Sequence, residues 1–170
     1  MMPTPHACPG CAVALPDEHL PPSDRCNASG ECWQKYGELA LYTTTRDPVW
    51  FIHQTAVDAY GAQHVGPPGK PIGTYFSLMG LYLQIERGYT GRQVQLAHVA
   101  VGRRRSAWPT FERPPSVGSL TVVDVLNVPA GNERDAHLHA WAGSVWMAWS
   151  SEHDAVRAQT ERALREAVIR

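Results

Sequence analysis

One stretch of sequence decides the fold: Thr74-Tyr-Phe-Ser-Leu-Met-Gly-Leu-Tyr-Leu-Gln-Ile-Glu-Arg87. When it is wound as a helix, its apolar side chains fall on nearly every side, whereas a surface helix carries them on one stripe. Gly88 follows at once and suits the position after a helix C-terminus, because glycine adopts a left-handed conformation without steric cost. The stretch therefore predicts a central helix enclosed by the rest of the protein.

Helical signals recur on both sides of this stretch. Asn27 or Ser29 can cap a first helix, and Asp47 with Pro48 can open a second that has proline in its first turn. The predicted helices span residues 31–43, 49–64, 74–87, 91–101 and 132–167. The sequence thus predicts a mainly α protein, a single-domain helical bundle of about five helices.

Residues 120–125 are the one ambiguous element. Their β-branched content fits a short strand. However, Thr121 can cap a helix with Asp124 three residues later, and no partner strand is evident in the sequence. We therefore favour a helix start here.

Composition narrows the choice of partners. The chain has 170 residues, 44% of them hydrophobic and 18% charged, which suits one compact domain with a sizeable core. Its formal net charge is -1, and its one basic run, residues 103–105, is predicted to be a solvated helix end, so we expect no nucleic-acid partner. No apolar run approaches the ~20 residues that span a bilayer, and no secretory signal is visible, so we expect a cytoplasmic protein without a membrane partner.

The first 30 residues differ from the rest because they are rich in Pro, Gly, Asp, Ser and Cys. We expect an irregular segment over residues 1–30, ahead of a helical bundle over residues 31–170. Such a segment stays ordered only if something fixes it, and a bound metal would do so.

Cysteines in this region indicate a metal site. Cys8-Pro-Gly-Cys11 places two sulfurs on one side of a tight loop, and Cys32 falls in the first turn of a helix, where the dipole favours a thiolate. In a reducing cytoplasm, such cysteines indicate ligands before disulfides. Zinc needs a fourth ligand, with other transition metals as alternatives. Cys26 would confine the site to the segment, whereas His53 would join the segment to two helices.

The second predicted helix carries several polar side chains. His53 and His64 lie within ~20° of each other around its axis but ~16 Å apart along it, so one ion cannot bind both. Burying an unpaired amide or carboxylate costs roughly 1–3 kcal/mol, so Gln54 and Asp58 should have defined partners. If the protein is an enzyme, Asp58 or His64 would be its acid–base group, with Gln54 and Tyr60 beside it. His137, His139 and His153, by contrast, are predicted to be packed or surface histidines.

Taken together, these residues resemble a bacterial family of unknown function, domain of unknown function 5946. The motifs that carry the resemblance are Cys8-Pro-Gly-Cys11, Cys32-Trp33, Tyr36-Gly-Glu38, His53-Gln54, Val57-Asp-Ala-Tyr60, Gln63-His64, Leu78-Met-Gly-Leu81, Leu120-Thr-Val122, Ser144-Val-Trp146 and Ala148-Trp149. The resemblance implies a helical metal-binding domain and supplies no reaction. Because the family pattern does not call for a cysteine at position 26, it favours His53 or His64 as the fourth ligand.

Three functions stay open at this point. The first is a small metal-dependent enzyme, the second is a binding or accessory protein with a structural zinc, and the third is a metal sensor. Charge donation from sulfur lowers the Lewis acidity of zinc, which weakens the enzyme interpretation for the cysteine site itself. We expect a closed or nearly closed zinc centre, beside a polar His/Asp/Gln pocket that binds a small molecule or a protein partner.

Overall fold

The structure is a computed structural model that describes residues 4–103 and 107–168. Its elements, in chain order, are β1 (Pro5–Ala7), β2 (Ala14–Pro16), α1 (Gly30–Arg46), α2 (His53–Gln63), α3 (Pro71–Ile85), α4 (Gly91–Gly102), α5 (Val122–Leu126), α6 (Asn132–Ala148) and α7 (His153–Val168). The predicted class, mainly helical with an irregular N-terminal segment, is confirmed. Arg104 and Arg105 of the predicted basic helix end lie outside the described residues.

α3 is the centre of the bundle, as its sequence predicts. Leu81 and Leu83 are fully buried, and α2, α4, α6 and α7 all pack against this helix. Burying a leucine side chain stabilises the fold by roughly 1.5–3 kcal/mol. α2 approaches closely because Gly80 has no side chain: a Cβ there would lie 2.0 Å from Asp58 Oδ2. Over the described ranges, no helix combines the length and apolar character needed to cross a bilayer.

α1 and α2 are antiparallel neighbours joined by residues 47–52. Near the start of α1, Cys32 Sγ lies 3.4 Å from His64 Nε2. Near its end, Thr43 Oγ1 lies 2.8 Å from His53 Nδ1. So short a connection makes the second helix return alongside the first. The N-terminus of α1 therefore meets the C-terminus of α2.

α2 begins at His53, later than the predicted residue 49. Asp47 ends α1, and its Oδ1 accepts backbone N–H bonds from Val49 and Trp50 within a turn. Phe51 then adopts a left-handed conformation with φ of 56°. A residue in that conformation interrupts a right-handed helix. The prediction that Asp47 and Pro48 open the second helix is therefore wrong.

The last predicted helix is in fact two helices. α6 ends at Ala148, a single 3-10 turn follows, and α7 begins at His153. The His153 ring stacks on Trp146, and its Nε2 lies 2.8 Å from the Trp146 carbonyl, which a continuous helix would bond to a backbone N–H. The break lets α7 pack against α3 and α4 while α6 packs against α2 and α5. α5 is the helix favoured over a strand for residues 120–125, and the Thr121–Asp124 capping box starts it. The described residues therefore form seven helices, instead of the predicted five or so.

The N-terminal segment contains a small hairpin that the sequence does not predict. β1 and β2 pair antiparallel, with His6 opposite Leu15, and residues 8–13 form the loop between them. Strands of three residues each are too short to show a clear alternation of apolar and polar side chains. Cys8, Cys11 and Leu15 join the same buried apolar cluster as the helices. The segment is thus attached to the bundle through its own cysteines.

Candidate metal centre

Four side chains, here called the ligand cluster, meet where the N-terminal segment contacts α1 and α2. Cys8 and Cys11 lie in the β1–β2 loop, Cys32 is the third residue of α1, and His64 directly follows α2. One ligand atom from each lies within 4.8 Å of the other three. Each residue is buried, with at most 8% of its surface exposed. Three thiols and one imidazole therefore converge on one enclosed point.

The distances within the ligand cluster suit a tetrahedral metal ion. Cys11 Sγ lies 3.8 Å from Cys32 Sγ, and Cys32 Sγ lies 3.4 Å from His64 Nε2. Around a tetrahedral zinc, with bonds of about 2.3 Å to sulfur and about 2.0 Å to nitrogen, those separations would be about 3.8 Å and about 3.5 Å. The cluster therefore fits zinc in both donor type and spacing.

His64 presents the tautomer that a metal ligand needs. Its Nδ1 lies 2.8 Å from the backbone carbonyl of Tyr60. Because a carbonyl oxygen can only accept, Nδ1 carries the proton and Nε2 keeps its lone pair. That Nε2 is the nitrogen beside the Cys32 sulfur. A hydrogen bond from the second ring nitrogen to a carbonyl is the usual support of a metal-bound histidine.

Two tyrosines hold the imidazole and one sulfur in place. The Tyr60 ring stacks on the His64 ring, with ring centroids 3.8 Å apart. The Tyr36 ring in turn stacks on Tyr60, with centroids 4.1 Å apart. The Tyr60 hydroxyl donates to Cys32 Sγ at 3.4 Å. Burial raises the pKa of Tyr60 far above its usual range, so the phenol keeps the proton that it donates. Tyr60, predicted as a catalytic residue, thus contacts two members of the ligand cluster.

The Cys-Pro-Gly-Cys turn fits tightly against the end of α2. A Cβ on Gly10 would lie 2.3 Å from Asn27 O and 2.4 Å from His64 Cδ2. Asn27 N–H in turn donates to His64 O at 3.0 Å. From the other side, Arg113 Nη2 donates to Gly10 O at 2.6 Å. Arg113 escapes prediction because it lies in a loop about a hundred residues from the turn that it contacts.

Electrostatics oppose three thiolates at this spacing unless a cation neutralises them. Hydrogen bonds from Cys11 and Cys32 hold the pKa of the Cys8 thiol far below its usual range. Hydrogen bonding to Cys11 and Cys8, together with burial, raises the pKa of Cys32 far above it. One thiolate is therefore stabilised at the expense of another. A divalent cation would remove the conflict, because it favours all three deprotonated groups at once.

Of the predicted candidates for the fourth ligand, His64 belongs to the ligand cluster, whereas His53 and Cys26 do not, which corrects the prediction that either of these completes the site. His53 lies at the opposite end of α2, where its Nδ1 is 2.8 Å from Thr43 Oγ1. Cys26 is half-buried, and its thiol donates to Ser23 Oγ at 3.5 Å. The antiparallel arrangement of α1 and α2 explains the outcome, since it brings the end of α2, and hence His64, to Cys32.

The predicted acid–base residues separate into two places. His64 and Tyr60 lie at the ligand cluster, whereas Gln54 and Asp58 lie between α2 and α3. Asp58 Oδ1 accepts from Gln54 Nε2 and its Oδ2 from Gln84 Nε2, each at 2.9 Å. Burial raises the pKa of Asp58 well above its usual range. Gln84 was not predicted, although a lone amide in the apolar central helix was a signal for a buried partner.

A second group of ligand-type side chains, His6, Asp17 and Glu31, lies beside the hairpin. Glu31 Oε1 accepts backbone N–H bonds from Glu18 and Leu20 at 3.1 Å and 3.2 Å, and its Oε2 lies 3.1 Å from His6 Nε2. Both carboxylate oxygens of Glu31 thus have protein partners. The group gives the N-terminal segment a second attachment to α1.

The C-terminal histidines lie apart from both groups. Among the described residues, His137, His139 and His153 belong to neither set of ligand-type side chains. His153 is buried against Trp146, and His139 is exposed on α6. Their positions suit packing and surface roles.

The sequence comparison with protein families gives one match. The family of unknown function DUF5946 matches residues 6–150, a span that begins in β1, ends just after α6 and contains the whole ligand cluster. No curated protein and no solved structure matches the chain. The chemistry of the residues themselves is therefore the guide to what they do.

Proposed function

Since this chain belongs to the family of unknown function DUF5946, its role has to be inferred from its own residues, and we propose that it is a zinc protein whose ion is bound by the ligand cluster. The ion forms a closed structural centre. It fastens the N-terminal segment to the start of α1 and the end of α2, which Glu31 and Asn27 also join to that segment through hydrogen bonds.

The spacing of four buried donors supports zinc most directly. Thiolate and neutral imidazole are the donors that zinc takes in structural sites, whereas magnesium and calcium take oxygen. The sulfur–sulfur and sulfur–nitrogen distances of 3.8 Å and 3.4 Å match the edges of a zinc tetrahedron. The proton on His64 Nδ1 leaves the required lone pair on Nε2.

A closed shell supports a structural role over a catalytic one. A catalytic zinc usually has three protein ligands and keeps one position for water or substrate. Here the protein supplies four donors, and three thiolates reduce the Lewis acidity of the ion. We therefore assign Tyr60 to orienting Cys32 and His64, and Asp58 with Gln54 to the packing of α2 against α3. None of the four cysteines forms a disulfide, which suits a reducing compartment such as the cytoplasm.

The identity of the fourth ligand gives the first test. His64→Ala is expected to reduce zinc affinity by more than the roughly 10–100-fold that loss of an outer hydrogen-bond partner costs, because a direct donor is removed. His53→Ala is the matched control, since it removes the same ring from the other end of the same helix. The measurement is the zinc content per chain after dialysis against a chelator of known affinity. Wild type and His53→Ala should each retain about one ion.

Two outcomes would contradict this assignment. One is zinc retained in His64→Ala but lost in His53→Ala, which would return the imidazole role to His53. The other is zinc lost from Cys26→Ser, which would indicate a site of four cysteines. Circular dichroism of each variant separates loss of the ion from loss of the helices.

A further inference from the structure

A cavity of about 530 Å³ lies away from the ligand cluster, between α2, α3, α6 and the loops before α2 and α4. Its volume falls within the roughly 300–1,000 Å³ of small-molecule sites. None of the residues that line it belongs to the ligand cluster. Gly143 is among the lining residues, and a Cβ at that position would meet nothing within 4 Å.

A hydrogen-bond network forms one polar wall of the cavity. Thr55 Oγ1 donates to Gln84 Oε1 at 2.6 Å. Gln84 Nε2 donates to Asp58 Oδ2 at 2.9 Å and to the Gly80 carbonyl at 3.1 Å. Because that carbonyl can only accept, the amide nitrogen must face Gly80, which turns Oε1 towards Thr55. Buried neighbours thus determine the orientation of the Gln84 amide.

This network leaves acceptors on its two cavity-lining side chains. Both protons of Gln84 Nε2 and the hydroxyl proton of Thr55 are used within the protein. Thr55 Oγ1 and Gln84 Oε1 each keep a lone pair. A ligand that reaches this wall must therefore supply the N–H or O–H groups itself.

The charge around the cavity is acidic. Asp47 and Asp135 line it, and no lysine or arginine does so among the described residues. Arg46 Nε lies 3.0 Å from Asp135 Oδ2, so this arginine compensates the charge of Asp135. The charge of Asp47 is less compensated. The other titratable lining groups are the imidazole of His139 and the phenol of Tyr89. A positively charged ligand suits this surrounding better than an anion.

An exposed aromatic ring forms part of the rim. Trp50 lines the cavity although 61% of its surface is exposed. The next residue, Phe51, has the left-handed φ of 56° that non-glycine residues rarely adopt. The Trp50 carbonyl accepts the Gly91 N–H at 2.8 Å, which fixes this turn against the start of α4. A strained turn that holds a large ring in water is more typical of ligand sites than of packing, and an indole face attracts cations.

We propose that this cavity binds a small organic cation, namely a primary or secondary amine carried on an apolar body. The ammonium supplies the donors that Thr55 and Gln84 require, and its charge is matched by Asp47. The apolar body packs against Ile85 and Trp50, which line the cavity and are both exposed. This site is independent of the zinc centre, so either proposal can fail without the other.

Matched probes on one carbon skeleton test the ligand class. Tryptamine, tryptophol and indole-3-acetate carry an ammonium, a hydroxyl and a carboxylate on the same indole. Phenethylamine, 2-phenylethanol and phenylacetate repeat the series on a smaller ring. Isothermal titration calorimetry with the purified full chain should show at least one amine binding about tenfold or more tightly than its alcohol, with the carboxylate weakest, because only the amine combines donors with positive charge.

Two pairs of variants locate the binding. Gly143→Met places a side chain in the cavity and should abolish amine binding, whereas Gly37→Met, which also has open space at its Cβ but lies on α1 outside the cavity, should not. Asp47→Asn keeps an acceptor oxygen but removes the charge, so it should weaken amine binding about tenfold and leave alcohol binding unchanged. Asp24→Asn is its control, because that side chain is 93% exposed.

Several results would overturn the proposal. They are the absence of binding by both amines, equal affinity of amine and alcohol, and unchanged amine binding in Gly143→Met. Zinc content and helix content, measured on every variant, show that a loss of binding does not reflect unfolding.

Discussion

Removal of the metal is expected to detach residues 4–29 from the helices and to lower the Tm by about 10 °C or more. An ion present at a thousandfold above its Kd stabilises the folded state by about 4 kcal/mol. In a protein of this size, each 1 kcal/mol shifts the Tm by roughly 2–4 °C. The other attachments of the segment are short-range: its strands contain three residues each, Glu31 accepts hydrogen bonds from Glu18 and Leu20, and Asn27 N–H donates to His64 O. The loss of order should therefore begin there.

Hydrogen exchange measured by mass spectrometry resolves this effect along the chain. After chelation, amides in residues 4–29 should exchange rapidly, while those of α3 stay protected because the central helix is buried independently of the ion. Cys32→Ser should reproduce the chelated state. Cys26→Ser should keep both the zinc and the protection, since its thiol lies outside the ligand cluster. Unchanged protection of residues 4–29 after complete metal removal would contradict a structural role.

Gly10→Ala is expected to separate the Cys-Pro-Gly-Cys turn from α2 and to reduce zinc affinity at least about tenfold, with about 1–3 kcal/mol of stability lost to overpacking. The new Cβ would lie 2.3 Å from Asn27 O and 2.4 Å from His64 Cδ2. Neither atom can retreat easily. Asn27 is bonded through its backbone N–H to His64 O, and the His64 ring is held by its stack on Tyr60. The turn, with Cys8 and Cys11, must move instead.

Gly37→Ala is the matched control for this substitution. Gly37 lies within α1, and a Cβ there would meet nothing within 4 Å. Alanine in a helix interior should stabilise the protein by roughly 0.5–1 kcal/mol and leave the zinc affinity unchanged. Competition titration with a zinc-binding dye and thermal unfolding measure both quantities. Equal zinc affinity in Gly10→Ala and wild type would show that the turn does not need its close contact with His64.

Local patterns could be predicted because their causes are local. The apolar run of α3 predicts a buried helix from side-chain periodicity alone. Ser29 caps α1, and Thr121 with Asp124 starts α5, as their side-chain chemistry indicates. The break between α6 and α7 could not be predicted in the same way. It depends on His153 reaching the Trp146 carbonyl and on α7 packing against α3 and α4, which are contacts between distant segments.

The start of α2 and the hairpin also escaped prediction, for related reasons. Asp47 and Pro48 are typical of a helix start. However, Gly91 has no side chain and so admits the Phe51 carbonyl, whose oxygen would lie 2.0 Å from a Cβ on Gly91. This contact favours the turn before α2 over an earlier helix start. The hairpin strands are short enough that the pairing of His6 with Leu15, and not their composition, defines them.

The sequence by itself determined a mainly helical protein with a central α3, and three cysteines suited to a metal. Residue type and spacing carry that information, because a Cys-Pro-Gly-Cys turn places two metal-binding sulfurs on one side of a tight loop whatever the rest of the chain does. Only the tertiary structure decided which residue joins the three cysteines in the ligand cluster. His53 and His64 share one face of α2, so their periodicity cannot separate them. They differ in which end of α2 they occupy, and the antiparallel return of α2 along α1 places His64, not His53, beside Cys32.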